Sequence, residues 1–386
     1  MNQNESTPLR VAQIIGKMNG GGAEQVVMNY YEHIDRSRVQ FDFFTFAGSK
    51  HIPAERIKEL GGGLYLLCGI SRPFRYLKTL TKLLSENRYD IVHCHMSTLS
   101  FLPLLAAKRA GVRVRIVHNH STSGGAGEFL RNVAKAVLKP LARAFATDGF
   151  ACGEYAARWF FGSKPVCAID DENAPKNAVR ILRNAIDTEK FAFSQQKRTA
   201  IRGEFKVPKN TLLFLHVGRF CPQKNQQFLI DIFKEIEKQH KNARLIMVGE
   251  GGDMELIQAR IIQAGLLAKA LFAGQRSDTD AFYSAADCFL LPSNYEGLPL
   301  AGLEAQCAGL PAVFSDRITK QAKASDSVQF LSLKTPARDW AFAAINSARR
   351  RNENAAEQIR AAGYDIAAEA EKLCEYYLRV GGSDCR

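Results

Sequence analysis

Short runs of β-branched and aromatic residues alternate along this chain with longer stretches whose apolar positions recur at helical spacing. The runs VAQII (11–15), FDFFTF (41–46), LYLL (64–67), DIVHCH (90–95), RIVHNH (115–120), GFAC (149–152) and VRIL (179–182) come first. After residue 210 the rhythm restarts with LLFLHVG (212–218), ARLIMVG (243–249), ALFAG (270–274), CFLLP (288–292) and LPAVF (310–314). Strand-like runs separated by amphipathic stretches predict βα units with parallel sheets, so an α/β fold of two Rossmann-like domains is expected. The polar, irregular stretch 187–208 separates them, giving domains 1–187 and 188–363. A segment 364–386 follows, with a helix at 364–378 and no further strand, and is expected to pack back towards the first domain. Two open α/β domains facing each other would bring the carboxyl ends of both sheets around one cleft, where such sheets bind ligands.

Composition adds limits. At 386 residues and 46% hydrophobic, the chain is too long for one core and ordinary for globular protein. The start MNQNESTPLR has no apolar signal core, and no run of about 18 apolar residues follows, so a cytoplasmic protein is expected, at most attached to a membrane surface. Nine cysteines without a CxxC pair suit free thiols in a reducing compartment rather than a zinc knuckle or disulfide frame. The net charge of +13 is concentrated in residues 72–143, which hold 13 Lys and Arg against 3 Asp and Glu. Such a stretch expects anionic company: nucleic acid, lipid headgroups or a phosphorylated substrate.

Three loops carry candidate chemistry. GKMNGGGAEQ (16–25) enters a helix near Ala23, and glycines such as Gly21 and Gly22 let backbone N–H groups close on a phosphate or sugar. Gln25 stands where a dinucleotide fingerprint wants its third glycine, and the second strand ends Thr45-Phe46 without an acid, which argues against a dehydrogenase. In VGRFCPQKN (217–225), Arg219 and Lys224 follow a strand and could neutralise a diphosphate both as bound substrate and as departing nucleotide. In SNYEGLPLAGLEAQCAGLP (293–311), Pro299 suits a first helical position and Gly309 a C-terminal cap, predicting a helix over 299–308. The N–H groups of Gly297 and Leu298 then precede a helix N-terminus. Glu296 and Glu304 would repel phosphate there, so they read as acceptors for hydroxyls of sugar and ribose.

These motifs resemble the retaining glycosyltransferases of family 4. EGLPLAGLE reproduces their Glu, seven residues, Glu pattern, and VGRFCPQKN is similar to their donor-phosphate loop. GGGAEQ, NAID (184–187) and AADCFLLPS (285–293) extend the likeness over nearly the whole chain. The segment SDRITKQ (315–321) is similar to one in bacterial enzymes that build capsular, exopolysaccharide or lipopolysaccharide chains. The resemblance implies the twin-Rossmann fold called GT-B and retaining, metal-independent transfer from a nucleotide-sugar, UDP-sugar being the expected donor, to a glycan or polyprenyl-diphosphate-linked acceptor. It implies that Arg219 and Lys224 hold the diphosphate, Glu296 the donor sugar and Glu304 the ribose. Backbone near Gln275 and Arg276 would frame the base. A histidine of HNHST (118–122) would lie beside the donor sugar, His120 being the first choice and His118 the second.

Two further features are weighed against metal binding. His93 and His95 share one strand face, as do His118 and His120, so four imidazoles could gather, yet no carboxylate partner is evident and no cofactor or metal is expected. Asp278 and Asp280 spell DxD, but their context reads as a helix cap with acids in the first turn. Two other functions compete: a nucleotide-sugar epimerase of the same fold, separable by its lack of an acceptor, and a nucleic-acid-binding protein. The second is disfavoured because the basic residues are not interleaved with aromatics or glycines. The stretch 129–145 instead places Arg131, Lys135, Lys139 and Arg143 along one helix face, opposite Leu130, Val133, Val137, Leu141 and Phe145, with a kink possible at Pro140. With the basic 72–82 segment, this predicts peripheral attachment to an anionic membrane surface.

Overall fold

Residues 7–120 and 129–382 are described by the computed structural model, with backbone alone for 129–136. The chain divides into one unit of residues up to 185 together with 366 onward, and a second of 186–365. The sequence placed these divisions at 187/188 and 363/364. The crossing points lie side by side, since Ile186 pairs with Asp365 and its N–H donates to the Tyr364 carbonyl at 2.9 Å.

In the first unit the strands are β1 (Leu9–Ile14), β2 (Val39–Phe46), β3 (Leu64–Leu67), β4 (Ile91–Cys94), β5 (Val114–Asn119), β6 (Asp148–Ala151), β7 (Val166–Ala168) and β8 (Val179–Ile181). They form one parallel sheet in the order β3-β2-β1-β4-β5-β6-β8-β7. Both faces are covered, which is why the strands read as nearly continuous apolar runs. On one face Phe44, Val92 and Val117 pack with Leu80, Leu84 and Leu104 from helices Pro73–Asn87 and Phe101–Arg109. On the other, Phe41 stacks on Tyr31 of helix Gly22–His33 and meets Tyr377 of the last helix, Ile366–Gly381. That last helix is also tied down by Tyr376 Oη donating to Asp148 at 2.7 Å and by Arg38 pairing with Glu371 and Glu375. Helix Phe129–Phe145 continues through Pro140.

The second unit holds β9 (Leu212–Val217), β10 (Ala243–Val248), β11 (Ala270–Gly274), β12 (Cys288–Leu291), β13 (Ala312–Ser315) and β14 (Val328–Leu331). They are ordered β11-β10-β9-β12-β13-β14 and paired in parallel. The order reverses next to β9, so loops leaving β9 and β12 meet where a doubly wound sheet binds its ligand. Three details differ from the sequence reading. The stretch 187–208, expected irregular, contains helix Gln195–Glu204, with Ser194 Oγ capping Lys197 N–H at 3.3 Å. It docks mainly through charge, Arg198 and Arg202 both reaching the buried Asp287, so it lacks the apolar stripe that would have announced it. Strands β7 and β14 were not anticipated, being short, partly exposed edge strands. The helix expected over 299–308 runs Leu300–Cys307, with Pro299 at the cap rather than the first turn and Gly309 at φ +64° beyond it.

Candidate active site

Within the second unit, the loop after β9 is zipped to the loop after β10. Gly218 N–H donates to the Val248 carbonyl and Phe220 N–H to that of Glu250, both at 2.9 Å. Two glycines that sequence reasoning passed over make this possible. A Cβ on Gly249 would stand 2.2 Å from the Gly218 carbonyl oxygen, and one on Gly251 2.2 Å from that of Phe220. Gly249 also has φ +129°, open to glycine alone at little cost. Their signal was the repeat GEGG directly after a strand.

The Lys224 stem lies against Gly218, where a Cβ would meet Lys224 Cε at 3.1 Å. Its ammonium reaches Glu296 Oε1 at 2.6 Å. Glu296 also accepts from Ser293 Oγ at 3.0 Å and from Gln223 Nε2 at 3.1 Å. Ser293 is fixed in turn by Ser315, whose Oγ donates to the Ser293 carbonyl. Lys224 thus already balances the carboxylate that would otherwise repel a phosphate. Gln223 and Ser293, which shape this carboxylate, were missed because single polar residues in a loop carry no sequence signal. The Arg219 carbonyl is held by Gln226 Nε2 at 2.9 Å, and Gln226 also contacts His216 Nε2 at 3.3 Å.

Glu304 projects from helix Leu300–Cys307 and is 8% exposed. Tyr283 Oη donates to it at 2.7 Å. Burial pushes its carboxyl up to about 7, against the smaller opposing effects of Tyr283, Lys190 and Lys224. Gly297 and Leu298 immediately precede this helix's cap. Gln275 is exposed just after β11, and Arg276 beside it is paired with Glu204 at 2.8 Å and Asp278 at 2.7 Å. The DxD carboxylates are therefore taken by cations, Asp278 by Arg276 and Asp280 by Lys197 at 2.6 Å. Asp278 does occupy the cap position of helix Thr279–Ala285, but its side chain makes no capping bond.

In the first unit, Gly21 caps helix Gly22–His33, and its N–H is already met by Glu24 Oε2 at 2.8 Å. The histidines expected on common faces do gather at the ends of β4 and β5. His93 stacks on His95 with ring centroids 4.3 Å apart, and His118 lies 3.8 Å from His120. His93 and His118 are buried, while His95 and His120 are half-buried. Burial lowers the pKa of all four, His120 to about 4, so each imidazole is neutral at pH 7. His93, His95 and His118 each have a nitrogen within 4.8 Å of the others. Their planes stack, at 27° for His93 with His95 and 21° for His93 with His118. His95 and His118 are inclined to each other at 48°. Residues 121 and 122 of the HNHST loop lie outside the described residues.

Among the described residues no helix is long and apolar enough to cross a membrane. On helix Phe129–Phe145, Val137 and Leu141 are 65% and 43% exposed, while Ala142 is buried. Lys139 is not a free surface charge, since it donates to the Trp159 carbonyl at 2.9 Å and lies 3.7 Å above the Trp159 ring. Arg131, Lys135, Leu130 and Val133 have side chains outside the described residues.

Family models for Glycosyl transferases group 1 and Glycosyltransferase Family 4 match residues 197–357 and 20–190 respectively. The glycosyltransferase-type protein EpsF of Bacillus subtilis (strain 168) is 33% identical over 380 residues, spanning 96% of this chain and 97% of its own. The UDP-Gal:alpha-D-GlcNAc-diphosphoundecaprenol alpha-1,3-galactosyltransferase of Escherichia coli is 30% identical over 248 residues, 64% of this chain and 62% of that one. Among solved structures, Anabaena HepE in complex with UDP-glucose superimposes with a TM-score of 0.78 at 16% identity, covering 95% of this chain and 98% of that one. With its two parallel-sheet α/β units of the GT-B class, the chain belongs to the glycosyltransferases, as a member of their family 4, and is a transferase.

Proposed function

We propose that the protein is a retaining transferase that moves a sugar from a UDP-sugar to a glycan or polyprenyl-diphosphate-linked acceptor in bacterial surface polysaccharide synthesis. The observation that carries this reading is the Lys224–Glu296 pair, which ties the loop after β9 to the loop after β12 at 2.6 Å, with Arg219 on the first loop and Glu304 on the helix that follows the second. Glycosyl transfer builds negative charge on the departing diphosphate, and preorganised cations stabilise it without reorganisation during the reaction. In the second unit Glu296 and Glu304 can accept hydroxyl hydrogens of the sugar and the ribose; in the first, His120 can accept a further hydroxyl, and Gly21 and Gly22 stand at a helix N-terminus. Gln275 and Arg276 border the base. The E. coli relative's UDP-galactose donor and diphosphoundecaprenol acceptor support the choice of substrates. A panel of nucleotide-sugars read by thermal shift, followed by transfer to a lipid-linked acceptor with NMR of the product anomer, tests it. Inversion at the anomeric carbon would remove the retaining assignment.

Metal-independent transfer belongs to the same proposal, because lysine and arginine supply the charge a divalent ion would otherwise bring. Activity is expected to survive EDTA unchanged, and strict restoration by manganese or magnesium after chelation would overturn this.

Work at the inner face of a membrane is also proposed. Support comes from the basic excess of residues 72–143 and from the exposed Val137 and Leu141, joined by Phe74, which is 88% exposed among Arg72, Arg75 and Lys78. Each lysine or arginine near an anionic leaflet contributes about 1 kcal/mol, and the apolar side chains add burial in the headgroup region. Co-sedimentation with phosphatidylglycerol-containing vesicles is expected to fall as salt rises, and to weaken in Arg143→Gln and in Phe74→Ser. Equal binding to neutral and anionic vesicles, or none to either, counts against it.

A further inference from the structure

Gln13 lies on β1 opposite His93 on β4, 1% exposed, with its carboxamide divided between two partners. Its Oε1 stands 2.8 Å from His95 Nε2, and its Nε2 donates to Tyr377 Oη at 3.3 Å. The chain of contacts continues, since His95 Nδ1 is 2.8 Å from His120 Nε2 and Tyr377 Oη is 2.6 Å from His93 Nδ1. We propose that Gln13 is a positioning residue that fixes, through His95, which nitrogen of His120 carries its proton, leaving His120 Nδ1 bare to accept a hydroxyl of the sugar. This rests on the transfer reading above.

A neutral imidazole has one N–H and one lone pair, and the partner of one nitrogen dictates the state of the other. An amide oxygen can only accept, so His95 must carry its proton on Nε2. Its Nδ1 is then a lone pair, which requires His120 to donate from Nε2. His120 Nδ1 is left with a lone pair, and it is a buried atom with no partner among the described residues. The other branch agrees: Tyr377 accepts from Gln13, so its own hydrogen goes to His93 Nδ1. Rotating the carboxamide by half a turn would reverse every proton in the chain and turn His120 Nδ1 into a donor. The Tyr377 hydroxyl can accept from Nε2 or donate to Oε1, so the direction of the chain is set by the amide itself, which turns Oε1 to His95 and Nε2 to Tyr377. The glutamine was invisible as a functional residue in the sequence because VAQII reads simply as a strand.

The test uses the full chain labelled with ¹⁵N-histidine, where imidazole shifts report which nitrogen is protonated and His120→Asn identifies the His120 signal. The expected wild-type result is an unprotonated His120 Nδ1. Gln13→Met keeps length and apolar bulk but removes both hydrogen bonds; it should give mixed tautomers and a kcat lowered about tenfold, with the donor KM little changed. A protonated His120 Nδ1 in the wild type overturns the proposal, as does a Gln13→Met enzyme with wild-type kcat and tautomer. Should Gln13→Met fail to fold by near-ultraviolet circular dichroism, the wild-type spectrum decides alone. If no nucleotide-sugar is turned over by the wild type, the transfer reading fails while the tautomer measurement still stands on its own.

Discussion

Lys224→Ala should lower turnover by about a hundredfold, and the Arg219→Ala, Lys224→Ala double variant by more, because removing preorganised charge beside a developing anion has that order of effect. The structure adds a complication that sharpens the experiment. Lys224 is bonded to Glu296 at 2.6 Å, so its removal also leaves a buried carboxylate with only Ser293 and Gln223 as partners. A loss caused by a misplaced Glu296 would look like a loss of phosphate stabilisation. The double-mutant cycle separates them. On a Glu296→Gln background there is no carboxylate charge to neutralise, so a lysine serving only Glu296 would become dispensable. A lysine acting on the diphosphate should still cost at least tenfold on that background. Rates measured at saturating donor for the four proteins decide the matter, and near-normal turnover by the Arg219, Lys224 double variant would end the assignment.

Much of this arrangement was legible beforehand because it is written in periodicity and in glycine, proline and charge at loop positions. Strands buried on both faces announce themselves as apolar runs, and EGLPLAGLE holds both carboxylates within one loop and one short helix. What escaped was of three kinds. Helix Gln195–Glu204 binds its unit through Arg198 and Arg202 on Asp287, and ion pairing leaves no periodic apolar trace. Gln13, Gln223, Tyr283 and Tyr377 act through partners 21 to 364 positions away, distances over which a single sequence carries no pairing information, and Ser293 is a lone polar residue in a loop. The exposure of the apolar side of helix Phe129–Phe145 is the third. Periodicity identifies two faces but does not say which one the fold buries, and here Val137 and Leu141 face outward.

Glu304 gives the second large effect, and it should appear as a pH dependence. Burial places its carboxyl at about 7, so at that pH it is roughly half ionised, and each unit of acidification below it cuts the carboxylate fraction about tenfold. Ribose hydroxyls need the carboxylate as acceptor. Affinity for the donor should therefore weaken as pH falls from 8 to 6, by up to about tenfold. The ligand must be a nucleotide-sugar rather than a free nucleotide, since a terminal phosphate itself titrates near pH 6. His216, pushed down to about 4 by burial, does not interfere in this window. Glu304→Gln should bind about ten- to a hundredfold more weakly at pH 8, the magnitude expected of hydrogen bonds to a charged acceptor, and should show no such slope. Stability should move the other way. A carboxyl whose folded pKa lies above its unfolded value of 4.5 binds its proton more tightly when folded. Its ionisation therefore costs stability above pH 7, a cost progressively relieved as the pH falls towards the unfolded pKa. Without nucleotide, Glu304→Gln should consequently unfold at a higher temperature than the wild type at pH 8, and the difference should shrink towards pH 5. A group kept ionisable in a costly place, and missed by the donor when neutralised, is what a binding role predicts; calorimetry showing equal, pH-independent donor affinity for both proteins would assign Glu304 to the core instead.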